Sequence, residues 1–99
     1  MPKAYWIALV TVTDPEAYAG YQQLAPAAFV QHGARFLARG GEATTLEGDV
    51  WPRHVVIEFD SKAQALACYH SAEFTAARAK RDAACTASIV SVEGLPDLS

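Results

Sequence analysis

Apolar side chains recur along this chain in two rhythms, one of period two and one of helical spacing, and the switches between them mark its elements. The run Ala4–Val12 is aromatic and β-branched and predicts a strand. Thr13-Asp14-Pro15-Glu16 ends it and opens a helix. Either Asp14 is the N-cap with Pro15 at the first helical position, or Thr13 and Glu16 form a capping box. Tyr18, Tyr21, Leu24, Ala25, Ala28, Phe29 and His32 then share one helical face, so the helix is expected to reach His32, with Gly33 as the residue after its C-cap. Pro26 removes a backbone donor and predicts a kink or break near Leu24–Ala25.

Ala34–Arg39 predicts a second strand, Gly40-Gly41 a turn or bulge, Glu42–Leu46 a third strand and Glu47-Gly48-Asp49 a turn, with Trp51-Pro52 in the following loop. Arg53–Phe59 is the next strand. Ser61-Lys62-Ala63-Gln64 matches a capping box and starts a helix to His70. Ser71 and Glu73 restart one that runs to Ala83, Thr86–Glu93 is the last strand, and Leu95–Ser99 is a tail. The order is βαββαβ with the second helical region in two pieces. It predicts a single α+β domain over residues 1–99, a ferredoxin-like sandwich whose antiparallel sheet carries its helices on one face.

Alternation within the strands adds a constraint. Trp6, Ala8, Val10 and Val12 point one way, yet Tyr5, Ile7 and Leu9, pointing the other way, are apolar too. Val55, Ile57 and Phe59 alternate with His54, Val56 and Glu58, and Val90 and Val92 alternate with Ile89 and Ser91. A sheet with one wet face shows a clean polar side. Here the helices leave an oily side bare, and the simplest cover is a second copy packed sheet to sheet, a homodimer; the alternative is a patch for a different partner.

The bulk numbers narrow the function. With 99 residues, 52% hydrophobic and 19% charged, the chain is too apolar to be disordered. No apolar run approaches the roughly 18 residues of a membrane span, so no membrane partner is expected. A net charge of −3 with no basic stripe argues against nucleic acid. Twenty alanines make the core fine-grained: helices approach the sheet closely, but each side chain contributes little burial energy. Cys68 and Cys85 have no metal or CxxC spacing and read as free thiols of a reducing compartment. Met1-Pro2-Lys3-Ala4 opens no signal peptide, and a cytoplasmic location is expected.

Several segments together resemble a known family. Tyr5-Trp6-Ile7-Ala8 leading to Thr13-Asp14-Pro15-Glu16-Ala17-Tyr18, the stretch His32–Gly41, Leu46-Glu47-Gly48, Val56-Ile57-Glu58-Phe59 and Cys68–Phe74 are similar to a bacterial family of uncharacterised small proteins in the dimeric α+β barrel superfamily. The resemblance spans nearly the whole chain. It implies a ferredoxin-like protomer that dimerises into a barrel, in a superfamily that includes cofactor-free monooxygenases, isomerases, lactone-processing enzymes and haem-handling proteins. Two departures stand out: Ser71-Ala72-Glu73-Phe74 replaces the family's Ser-Pro-Glu-Tyr, which removes a phenol hydroxyl, and Ala34 stands where the family tends to have a second glycine.

Six residues are candidates for chemistry. Glu58, mid-strand, is the best general base, with Arg39 as partner; the alternative is a structural Arg–Glu pair across the sheet or the dimer. Arg39, at a strand end beside two glycines, suits bidentate binding of a carboxylate or enolate, and is expected to face away from Phe36; the alternative is a rim ion pair. His32 is a second acid or base, or else a hydrogen-bonded residue closing its helix. Tyr21 and Tyr69, with Tyr18, line a pocket for a small aromatic or lipid-like ligand, or pack the core. Arg78 and Arg81 suit a solvated face, and the resemblance favours Arg81 as a pocket residue because the family tends to keep a base there. His54 and His70 have weaker claims. The three histidines lack any ligand spacing, so no metal or other cofactor is expected. Three functions follow. A cofactor-free enzyme acting on a small organic acid, isomerase or monooxygenase-like, requires Arg39, Glu58 and one of His32 and Tyr69 to meet in one cavity. A small-molecule binding or sensing module needs only the cavity. A purely structural dimer predicts none.

Overall fold

The computed structural model describes residues 2–96 of the chain. Its elements are β1 (Ala4–Val12), α1 (Pro15–Gln31), β2 (Arg35–Arg39), β3 (Arg53–Phe59), α2 (Lys62–His70), α3 (Ala72–Arg81) and β4 (Cys85–Glu93). The four strands form one sheet in the order β2-β3-β1-β4, every pairing antiparallel. With its helices on one face, this is the ferredoxin-like α+β architecture that the alternation of elements predicts.

At the first helix, where two caps compete, the structure chooses one. Asp14 is the N-cap of α1: its carboxylate accepts from the Ala17 amide at 3.2 Å, and Pro15 takes the first turn. Ser61 caps α2 by accepting from the Gln64 amide at 3.1 Å. Ser71 serves two helices, its hydroxyl donating to the Cys68 carbonyl at 2.7 Å and accepting from the Phe74 amide at 3.1 Å, which breaks the second helical region in two. The amides of Thr13 and Asp14 both donate to the Ala84 carbonyl, at 2.8 and 3.0 Å, and tie the end of β1 to the start of β4.

Two expectations are corrected. α1 runs without a break through Pro26, held to the sheet on both sides of it by buried Ala25, Ala28 and Phe29, so the proline costs the Gln22 carbonyl its helical donor and no more. Glu42–Leu46 is not a strand. Leu46 is its one large apolar side chain and is 89% exposed; with nothing to bury on either face, the segment has no reason to pair, and residues 40–52 form one exposed connection between β2 and β3. Of the predicted tail, residues 97–99 lie outside the described residues. Among the described residues no helix is long and apolar enough to cross a membrane.

The core centres on Trp6, 2% exposed, whose ring lies 5.0–5.8 Å (centroid to centroid) from Phe59, Phe74, Phe29 and Tyr69. Alanines 25, 28, 65 and 77 face this aromatic cluster from the helices. Their small side chains let the helices sit low, so the rings supply most of the buried volume. Replacing Trp6 by Ala is expected to lower stability by about 3–5 kcal/mol, read as a shift of the urea midpoint.

Candidate functional site

A cavity of about 180 Å3 opens between the helix-covered face of the sheet and helices α1 and α3. Its inner wall is aromatic and aliphatic: Trp6, Phe29, Phe36, Ile57 and Phe74. Three arginines join that lining, Arg39, Arg53 and Arg81, and among the described residues no Asp, Glu or His does.

Each arginine arrives by a different local device. β2 is bulged at Leu37: Phe36 pairs with Ile57, Ala38 with Val56 and Arg39 with Val55. The extra residue turns Arg39 onto the face of Phe36, and its guanidinium carbon lies 4.5 Å from that ring's centroid. The expectation that Arg39 faces away from Phe36 assumed strict alternation and is corrected by this bulge. Arg53 opens β3 on the same face as Val55, Ile57 and Phe59. Its guanidinium packs on Gly40, which has φ +67°; a Cβ there would stand 2.5 Å from Nη1 of Arg53. Arg81 closes α3, is 7% exposed, and lies over the rings of Tyr21 and Phe74 at 4.9 and 6.0 Å.

The ion pairs among the described residues, Lys3–Glu58, Arg35–Glu58 and Arg35–Asp60, leave all three cavity arginines without a carboxylate. Nε of Arg53 and Nε of Arg81 are buried and have no hydrogen-bond partner. Tyr21 stands beside Arg81. Burial pushes its phenol up to about 12, against the opposing pull of the guanidinium, so it meets the cavity as a neutral hydroxyl.

The sequence profile of a domain of unknown function, DUF1330, matches residues 3–95. The chain belongs to this family. No curated protein matches it. Among solved structures, this DUF1330 chain is similar to a protein of unknown function from Rhodopseudomonas palustris, with a TM-score of 0.79 at 19% identity over 97% of this chain and 85% of that one. SnoaB, a cofactor-independent oxygenase from Streptomyces nogalater, has a TM-score of 0.64 at 14% identity over 99% and 98%. A dimeric protein of unknown function and ferredoxin-like fold from Bacteroides fragilis gives 0.62 at 14% over 92% and 95%. At these identities the likeness establishes the fold.

The DUF1330 structure brings together Arg39, Tyr21 and Arg81 of the six sequence candidates, and keeps the other three apart from them. Glu58 lies on the opposite face of the sheet. Nε of Arg35 donates to it at 2.7 Å while Nη2 donates to Asp60 at 2.7 Å, and this bond holds the Glu58 carboxyl below its ordinary range. A base beside Arg39 is therefore not what Glu58 is placed to be; it is the cross-strand Arg–Glu pair of the alternative reading. His32 forms the C-cap of α1, with Nδ1 donating to the Ala28 carbonyl at 2.9 Å and its own carbonyl accepting from Gln64 at 2.6 Å. Tyr69 packs on Trp6, is covered by the Arg78 guanidinium at 4.3 Å, and accepts from Nη1 of Arg78 at 3.3 Å. The meeting of Arg39, Glu58 and His32 or Tyr69 in one cavity does not occur. His54 sits on the open face and His70 ends α2. Arg53 is the cavity residue that sequence reasoning missed; its even spacing from Val55 and Ile57 was the available signal.

The Tyr21 phenol gives a pH prediction. Its folded-state value lies above the unfolded 10.0, so the stability it contributes is complete below pH 10 and is lost as pH rises from 10 to 12. Absorbance titration near 295 nm is expected to show one tyrosine ionising near pH 12, and Tyr21→Phe to remove that step.

Proposed function

We propose that the cavity binds a small organic acid with its anionic end against Arg39, Arg53 and Arg81, and that the protein acts on it as a cofactor-free enzyme, isomerase or monooxygenase-like. The single observation that carries this reading is three guanidiniums without a counter-ion in an otherwise apolar cavity. Arg81 is buried, Arg53 half-buried and Arg39 exposed; for Arg81 the lack of a counter-ion is costly, and an anionic ligand relieves that cost. Catalysis would consist of stabilising an enolate. Cations fixed before the reaction favour the state in which negative charge develops. With no carboxylate or imidazole among the described lining residues, the proton of a substrate that is itself acidic, its pKa lowered by the arginines, passes to solvent water at the mouth of the cavity. The likeness to a cofactor-independent oxygenase agrees with this chemistry. A second reading, a non-catalytic binding or sensing module, is favoured by that same lack of a base.

A thermal-shift panel of small carboxylic acids tests the binding. A ligand at a hundred times its Kd adds about 2.7 kcal/mol of stability, and Arg53→Gln with Arg81→Met is expected to abolish the shift. A panel without a hit, or a shift that survives both substitutions, overturns the reading. Proton NMR in D2O then separates the two functions: accelerated exchange of α-hydrogens of a bound enolisable acid marks an enzyme, and binding without exchange a module.

The open face is proposed to pack on a second copy. Ile7, Val90 and Val92 are 42, 53 and 43% exposed there, a contiguous apolar stripe across two paired strands. A similar structure is described as dimeric. Sedimentation equilibrium of the native chain is expected to give twice the chain mass, and Val90→Asp the single mass; a native monomer at micromolar concentration overturns the dimer.

A further inference from the structure

Resting on the organic-acid reading of the cavity, we infer that its ligand carries two oxygen functions on neighbouring carbons at one end, a carboxylate beside an enol or phenol oxygen, with an apolar or aromatic body at the other. The polarity of the cavity follows from the register. Arg53 pairs with Val10 and Arg39 with Val55, so these two are diagonal neighbours on one face near the end of β1. Like charges so placed repel, and among the described residues neither is paired with an acid. Arg81 reaches the same end from the helices, because its carbonyl accepts from the Ala84 amide at 2.8 Å and the Ala84 carbonyl accepts from Thr13. Trp6 pairs with Ile57, four residues along β3 from Arg53, which is about 13 Å of strand. The guanidiniums of Arg39 and Arg81 lie over the rings of Phe36 and Phe74, so the charged end runs into an aromatic wall that extends along β3 to Trp6.

The charged end has two sides. The sheet offers Arg39 and Arg53; the helices offer Arg81 and the neutral Tyr21 hydroxyl. A bidentate guanidinium takes two of a carboxylate's roughly four acceptor sites, and a lone carboxylate so held against the sheet offers the helix side no oxygen of its own. Buried Nε groups without partners occur on both sides, on Arg53 and on Arg81. Two adjacent oxygens meet both at once. Size agrees: a cavity of about 150 Å3 takes up benzene, and this one, at about 180 Å3, suits one ring with such a head.

Calorimetry with benzoate, 2-hydroxybenzoate, 4-hydroxybenzoate and phenyl phosphate tests the inference. The 2-hydroxy isomer is expected to bind at least about ten-fold tighter than benzoate and the 4-hydroxy isomer, the worth of one additional charge-assisted hydrogen bond. Arg81→Met is expected to weaken the 2-hydroxy isomer about ten-fold more than it weakens benzoate, which removes that advantage; Tyr21→Phe, which keeps the ring, is the second variant should the first fail to fold, and is expected to reduce the advantage. Equal affinity for the two hydroxy isomers, phenyl phosphate binding as tightly as the 2-hydroxy isomer, or equal losses for benzoate and the 2-hydroxy isomer in both variants overturns the inference while leaving an acid-binding cavity. No binding of any of the four acids overturns both.

Discussion

Side-chain alternation in a sheet covered on one side only governs everything else in this protein. Each strand residue belongs to the face under the helices or to the bare face, and only the first encloses a cavity. Glu58, opposite Arg35, and Arg39, opposite Val55, belong to the same β2–β3 pair, yet they lie on opposite sides of it. The acid is neutralised on the outside by Arg35, and the base stays unneutralised within. With Glu58 and its partner Arg35 on the outer face, and Arg39, Arg53 and Arg81 lining the cavity, an electropositive pocket forms in a chain whose net charge is −3.

Such a pocket has an energetic cost, and the core shows what offsets it. Arg81 rests on the faces of Tyr21 and Phe74, contacts worth about 0.5–2 kcal/mol, less than a counter-ion would supply. Phe74 belongs at the same time to the Trp6 cluster. The aromatic centre that stabilises the fold is thus continuous with the ring surface that carries the buried cation. Helices studded with alanine sit low enough on the sheet to make that continuity possible, while the larger side chains of the strands keep the space beneath α1 from closing.

The sequence made the sheet and helices legible because their signals are local: Asp14-Pro15, Ser61 and Ser71 start helices where they stand, and period two marks β1 and β3. Glu42–Leu46 misled because Thr-Thr-Leu has the propensity of a strand without a face to bury, a property of the surroundings rather than of the segment. Tyr21 and Arg81 were legible as pocket residues, the one from helical spacing and the other from family resemblance. Arg39 was legible by type but not by direction, since a bulge leaves no mark in composition. Glu58 pointed to chemistry because a mid-strand carboxylate is unusual, yet its partner was Arg35, which parity placed on its own face.

The Leu37 bulge also changes how relatives of this chain are to be compared. In a regular strand two residues on one face are separated by an even number of positions; here Phe36 and Arg39 share a face at a spacing of three. A homologue whose edge strand lacks the additional residue presents its equivalent of Arg39 two positions after its phenylalanine. Alignments that place the gap in the long connection instead of inside β2 will match an inward side chain to an outward one, and a cationic pocket common to both proteins will look like a difference between them.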